Sequence, residues 1–270
     1  MSGADWLRPL TTALDAARKP VTFFFRDDDV GRADEQLFRL LDVFGACAVP
    51  VDLAVIPAAV TPDLARRLVA RQESSGAPAV HQHGRAHINH EPSGRKCEFG
   101  PSRTRDQQRS DIEAGQRRLA ALFGPLSTPI FSPPWNRCTS DTVDCLVELG
   151  FRGLSRDTTA EAVPSRGLVE LDVTVDWLKA RAGAALERAR LAELLATSTT
   201  RDCAVGVMLH HERMGADDHL ALEELLRLLV RHPQVRWRPM AAQLDDDGPS
   251  GRHAGTSPSM PGRQAAPTRP

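Results

Sequence analysis

Short apolar runs alternate with amphipathic stretches along most of the chain. Runs of strand length fall at VTFFFR (21–26), VPVDLAVI (49–56), APAVHQ (77–82), TPIFS (128–132), FRGLS (151–155), GLVELDV (167–173), CAVGVML (203–209) and QVRWR (234–238). They are continuous rather than alternating, the pattern of strands buried on both faces. Between them, DEQLFRLLDVFG places Leu37, Leu40, Leu41 and Phe44 on one helical stripe, with Gly45 as a stop signal. TPDLARRLVARQ opens with Thr61 as N-cap and Pro62 at the first helical position. RDQQRSDIEAGQRRLAALFG and ADDHLALEELLRLLVRH show the same period. Strand and helix alternating at this pace predict an α/β fold of parallel βαβ units, and seven or eight such strands favour a single-domain barrel over an open sheet.

The pattern also sets boundaries. Residues 1–20 read as a helical lead-in and 21–244 as the barrel. Residues 245–270, rich in Pro, Gly and Ser and poor in large apolar side chains, are expected to be a disordered tail. No internal repeat is visible.

Composition changes this picture little. Across 270 residues, 41% hydrophobic and 26% charged content suits a globular protein with a sizeable core. A net charge of -1 supplies no basic field for nucleic acid or an anionic membrane. No apolar run has the length of a membrane span, and the start lacks the features of an export signal. The five cysteines are scattered singly, an odd number without CxxC spacing, and read as reduced thiols. The expected compartment is the cytoplasm, the expected partner a small-molecule or carbohydrate substrate; no protein partner is inferred.

Chemistry enters where the predicted strands end. Functional groups of parallel α/β folds gather at the C-terminal ends of their strands. Asp27-Asp28-Asp29 follow the first strand, His83 and His87 the third, and Pro133-Pro134-Trp135-Asn136 the fourth; Asp172 and Asp176-Trp177 follow the sixth, and His210-His211 the seventh. Three aspartates can form a solvated, helix-capping turn. At the mouth of so apolar a strand, however, their mutual repulsion points to a cation. His83 and His87, four residues apart, share one face if the segment is a helical turn. Two imidazoles and one carboxylate leave a coordination position open, the pattern of a catalytic zinc site.

The ordered set FRDDD, HGRAH, FSPPWN, DVTVDW and GVMLHH, within residues 21–212, resembles the polysaccharide deacetylase (NodB-homology) family, carbohydrate esterase family 4. That family's signatures read approximately TFDDG, HSxxH, RPPYG, DxxDW and LLHD. The resemblance implies a distorted (β/α) barrel and metal-dependent removal of an acetyl group from an amino sugar, most simply with zinc. By position, Asp27 corresponds to the catalytic base, and Asp28, His83 and His87 to the metal ligands. His210 corresponds to the general acid and Asp176 to the carboxylate that tunes it. Pro134 and Trp135 correspond to the wall of the substrate groove, with Asn136 and Trp177 also expected to bind substrate; Trp135 and Trp177 either stack on a sugar face or are ordinary core aromatics. A one-residue shift makes Asp28 and Asp29 the working pair instead. Ser132 stands where the family usually carries an arginine paired with the base, and Arg26 or Arg137 is the candidate replacement. His81, His90 and His211 are expected in supporting or surface positions; Lys96 and Glu98 either line the site or sit on an exposed loop, the loop being preferred. Two rival readings are another metal-dependent barrel hydrolase acting on C–N bonds, suggested by the HQH pair, and a non-catalytic homologue that binds metal or carbohydrate.

Overall fold

A computed structural model describes residues 5–75 and 79–245 of the chain. The elements follow in the order α1 (Arg8–Asp15), β1 (Val21–Val30), α2 (Asp34–Cys47), β2 (Asp52–Val55), α3 (Pro62–Ser75), β3 (Val80–His83), α4 (Arg105–Phe123), β4 (Ser127–Ser132), α5 (Ser140–Glu148), β5 (Gly153–Leu154), β6 (Val169–Glu170), β7 (Val173–Asp176), β8 (Arg181–Ala182), β9 (Ala185–Leu186), α6 (Arg188–Ser198), β10 (Val205–Leu209), α7 (Ala216–Arg231), β11 (Val235–Trp237) and α8 (Met240–Gln243). The main sheet has nine strands in the order β6-β5-β4-β3-β2-β1-β10-β7, with β11 also pairing β1. All its pairings are parallel. It curls into an α/β half-barrel whose two ends are β6 and β7.

Every predicted apolar run contains a strand. The run at 167–173 contributes to two: it breaks at Leu171-Asp172 because β6 extends the sheet beyond β5, whereas β7 pairs with β10 at the opposite edge. Here the chain crosses the open side of the half-barrel. The β8–β9 hairpin escapes sequence reading because RAGAAL contains no β-branched or aromatic residue. Gly45 does not stop α2, which runs on to Cys47 and is closed by Ala48 in the left-handed conformation.

Two packing layers position the site. On the outer face of the sheet, Phe23 and Phe25 join Leu37, Leu40, Phe44, Leu222, Leu225 and Leu226 in the main core beneath α2 and α7. The lead-in helix contributes Leu10 and Leu14 to the same core. On the inner face, Phe24, Ile130, Leu171, Met240 and Leu244 plug the concave side. Gly206 makes room for this plug, since a Cβ there would meet the Phe24 ring at 2.3 Å. Among the described residues, no helix is long and apolar enough to cross a membrane. The expected tail lies outside the described residues from 246 onward.

Candidate metal centre

The first strand does not stop at Arg26. It continues through the three aspartates to Val30, with a register break against β2 between Asp27 and Val30. Strand alternation therefore places Arg26 and Asp28 on one face and Asp27 on the other. Asp29, with φ of 67°, leaves the alternation and turns to the rim. Three identical side chains thus receive three different surroundings.

Asp29 meets the histidines. Its Oδ1 lies 3.6 Å from His83 Nε2 and 3.2 Å from His87 Nε2. One ligand atom from each of Asp29, His83 and His87 falls within 4.8 Å of the others. His83 ends β3 beside Ser132, and its Nδ1 lies 3.0 Å from the Ser132 carbonyl. Donation there leaves Nε2 as the nitrogen that faces Asp29 and would take a metal; burial lowers the His83 imidazole, and the carboxylates of Asp28 and Asp29 more than reverse it. The segment between the histidines is not helical. Gly84 and His87 both adopt left-handed backbone, φ of 57° each, and this bend brings the second imidazole round.

The group fits a divalent cation. Asp29 Oδ1 is buried and lacks a hydrogen-bond partner of its own. Burial raises the Asp29 carboxyl, but contact with His83 and its charge outweigh it and hold the group below the usual carboxylate range. Burial and the neighbouring His83 depress His87 to about 4, leaving it neutral and able to donate a lone pair. Residues of this set are the common first ligands of zinc.

Asp28 has a different partner. Both its oxygens accept from Arg26, Oδ1 from Nε at 2.7 Å and Oδ2 from Nη2 at 2.9 Å. The guanidinium is fully buried and fixed by Ser155 Oγ at 2.7 Å and Asn136 Oδ1 at 3.2 Å. Burial pushes the Asp28 carboxyl up, and the Arg26 charge overrides that and keeps it ionised. Arg26, from within β1, thus supplies the cation missing at Ser132. Ser132 Oγ instead contacts His81 Nε2 at 2.9 Å, and burial holds His81 neutral, at about 3. Arg137 is turned to the Lys96 carbonyl, 2.7 Å away.

Asp27 lies on the far side of the strand. Its Oδ1 accepts from the His211 backbone N–H at 2.9 Å and its Oδ2 lies 2.7 Å from His211 Nδ1. The assignment of Asp27 as base and Asp28 as ligand does not match this placement, because Asp27 faces the outer core and Asp28 is clasped by Arg26. The one-residue shift, with Asp28 and Asp29 as the working pair, fits it.

His210 lies near enough for its charge to lower both Asp28 and Asp29, and its Nδ1 is buried without a hydrogen-bond partner. Asp176 is not hydrogen-bonded to it. Asp176 Oδ1 accepts from Leu178 N at 2.9 Å and caps the short turn that follows β7.

Trp135 stands beside the cluster, its ring 4.4 Å from that of His87 and partly exposed. Pro134 is buried against Gly84. Asn136 is used internally, its Oδ1 accepting from Arg26 and from the Asp157 amide. Trp177 is a core residue, fully buried with Nε1 donating to Asp218 at 2.9 Å, so it does not face substrate. Glu98 is not on an exposed loop: it is 1% exposed and binds backbone amides behind the histidines. Lys96 is exposed, with Nζ 5.9 Å from the Trp135 ring centre. His90 is exposed, as expected, whereas His81 and His211 are buried supports. Ser155 went unnoticed in the sequence, where a serine after a short run carries no signal.

The parallel half-barrel thus carries the Asp29, His83 and His87 cluster at the C-terminal rim of its strands. The family profile described as polysaccharide deacetylase matches residues 3–154, and the chain belongs to that family. No curated protein matches it in sequence. Among solved structures, a Mycobacterium smegmatis protein described as a polysaccharide deacetylase aligns at 18% identity over 86% of this chain and 91% of its own, TM-score 0.63. A family 4 acetyl xylan esterase from Clostridium thermocellum, in complex with a cobalt ion, aligns at 15% identity over 83% and 90%, TM-score 0.53. A CE4 family pseudoenzyme from Bacillus anthracis aligns at 14% identity over 85% and 66%, TM-score 0.55. At these identities the likeness is one of fold.

Proposed function

We propose that the chain is a metal-dependent deacetylase that hydrolyses the N-acetyl group of an amino sugar or related glycoconjugate, releasing acetate. The observation that carries this reading is the convergence of Asp29, His83 and His87, with the ionised Asp28 and the unpartnered His210 nitrogen beside them. Family membership and the cobalt-bound structural neighbour support it. A divalent cation held by Asp29, His83 and His87, zinc by preference, would acidify bound water and polarise the acyl carbonyl.

The remaining roles belong to the chain. Asp28, held in one orientation by Arg26, accepts the proton of the attacking water. The C–O bond to the acyl carbon forms and the C–N bond breaks. His210 donates a proton to the departing amine, leaving acetate and a free amino group. Trp135, beside His87, offers a flat apolar face for a sugar ring.

Acetate release from a panel of N-acetylated sugars, measured beside metal content for wild type, Asp28→Asn and His83→Ala, tests the reading. Wild type should release acetate; Asp28→Asn should keep metal and lose turnover; His83→Ala should lose both. Wild-type protein that holds metal but releases acetate from no acyl amide would overturn it.

A further inference from the structure

The loop carrying the two histidines is pinned by backbone bonds at its start, Gly84 N donating to the Ser132 carbonyl at 3.1 Å and the Arg85 carbonyl accepting from Ala58 N at 2.9 Å, and these stop short of His87. Gly84 and His87 both occupy the left-handed region, and for a histidine that conformation costs on the order of 1 kcal/mol. No helix or strand closes residues 84–88. Something else must set the distance between His83 and His87.

Glu98 is that something. Its Oε1 accepts from Ala86 N at 2.7 Å and its Oε2 from Arg85 N at 3.2 Å. One buried carboxylate therefore gathers two consecutive amides of the stretch between the histidines. It has no ion-pair partner among the described residues. Burial raises its carboxyl and the backbone N–H groups of Ala86 and Arg85 only partly offset that, an expensive arrangement to bury for stability alone.

The strap bearing Glu98 is itself fixed on both sides. Cys97 N donates to Asn89 Oδ1 at 2.9 Å and His90 N to the Cys97 carbonyl at 3.0 Å. Phe99 bridges to Cys138 on the far side, just past Trp135. At Gly84 a Cβ would lie 2.1 Å from Glu98 Oε2 and 2.6 Å from Pro134, so strap, histidine loop and groove wall meet at one point.

We propose that Glu98 is a positioning residue of the metal centre: by binding the amides of Arg85 and Ala86, it presets the separation of His83 and His87 for a divalent cation. This rests on the reading of Asp29, His83 and His87 as ligands. Glu98 touches neither cation nor substrate, so its effect falls on metal affinity before turnover.

The full chain, stripped of metal, is titrated with Zn(II) against a chromophoric chelator and with Co(II) followed by its visible absorption. Wild type is compared with Glu98→Gln, which nearly keeps the volume but places an NH2 group against an amide donor. Leu225→Ala, a core truncation in α7, serves as a control for lost stability. Glu98→Gln should bind Zn(II) about 10–100-fold more weakly, with an altered Co(II) spectrum, while Leu225→Ala binds as wild type. Wild-type affinity and spectrum in Glu98→Gln would overturn the proposal and leave the metal centre standing, as would equal weakening in Leu225→Ala. Wild-type protein that binds neither ion would instead overturn the metal centre and this proposal together.

Discussion

Asp27 and Asp28 are neighbours in one strand, both buried, both bonded to a cationic or protonatable partner. Asp28 faces the concave side, where Arg26 holds it as an ionised carboxylate at the edge of the ligand cluster. Asp27 faces the helical side, where His211 takes both its oxygens and in turn reaches the Arg32 carbonyl at 2.8 Å. The inner pair orients a reactive group. The outer pair ties β1 and the end of β10 to the turn before α2, holding the strand end that carries Asp29. Identity of residue type therefore says little about role here; the face of the strand decides it.

The largest effect should come from breaking the cluster itself. Asp29→Asn or His83→Ala should lose bound metal, read by elemental analysis, and all detectable acetate release with it. Retention of full metal occupancy by either variant would break the assignment of ligands.

The comparison of faces is sharpest in paired substitutions. Asp28→Asn should retain metal and lose about 10²–10⁴-fold in kcat, the range of a positioned proton acceptor. Asp27→Asn, per folded molecule, should stay within a few-fold of wild type. Equal losses in the two variants at equal metal content would erase the distinction between them.

Arg26→Met removes one partner of the inner pair and leaves Asp28 buried and uncompensated. Unfolding free energy should fall by about 3–5 kcal/mol, measured by denaturant titration. A loss below about 1 kcal/mol, the range of an exposed pair, would show that the clasp is solvated.

The smallest effect is a pH dependence on the outer side. Burial lowers the His211 imidazole, and the Asp27 carboxylate more than reverses this, raising it from 6.5 to about 9. A raised folded-state value gives stability that is fully present below about pH 6.5 and lost as pH rises towards 9. Wild-type Tm should therefore decline across that window, and Asp27→Asn should flatten the decline. An unchanged slope in Asp27→Asn would remove His211 as its source.

The alternation of apolar runs and amphipathic stretches determined the α/β class and located the strands of the main sheet, though not the β8–β9 hairpin or the split of the 167–173 run, because burial on both faces leaves a continuous apolar signature that needs no partner to be read. It also brought His83, His87 and the aspartate triplet to the same rim, since parallel strands end on one side. Arg26 was legible only as one of two candidate partners for the base, beside Arg137. The choice among the three aspartates depended on the bulge at Asp29, the helical expectation for 83–87 gave way to two left-handed residues, and the Glu98 strap acts across a loop. Each is a contact between distant segments or a backbone turn set by them, and only the tertiary structure decided it.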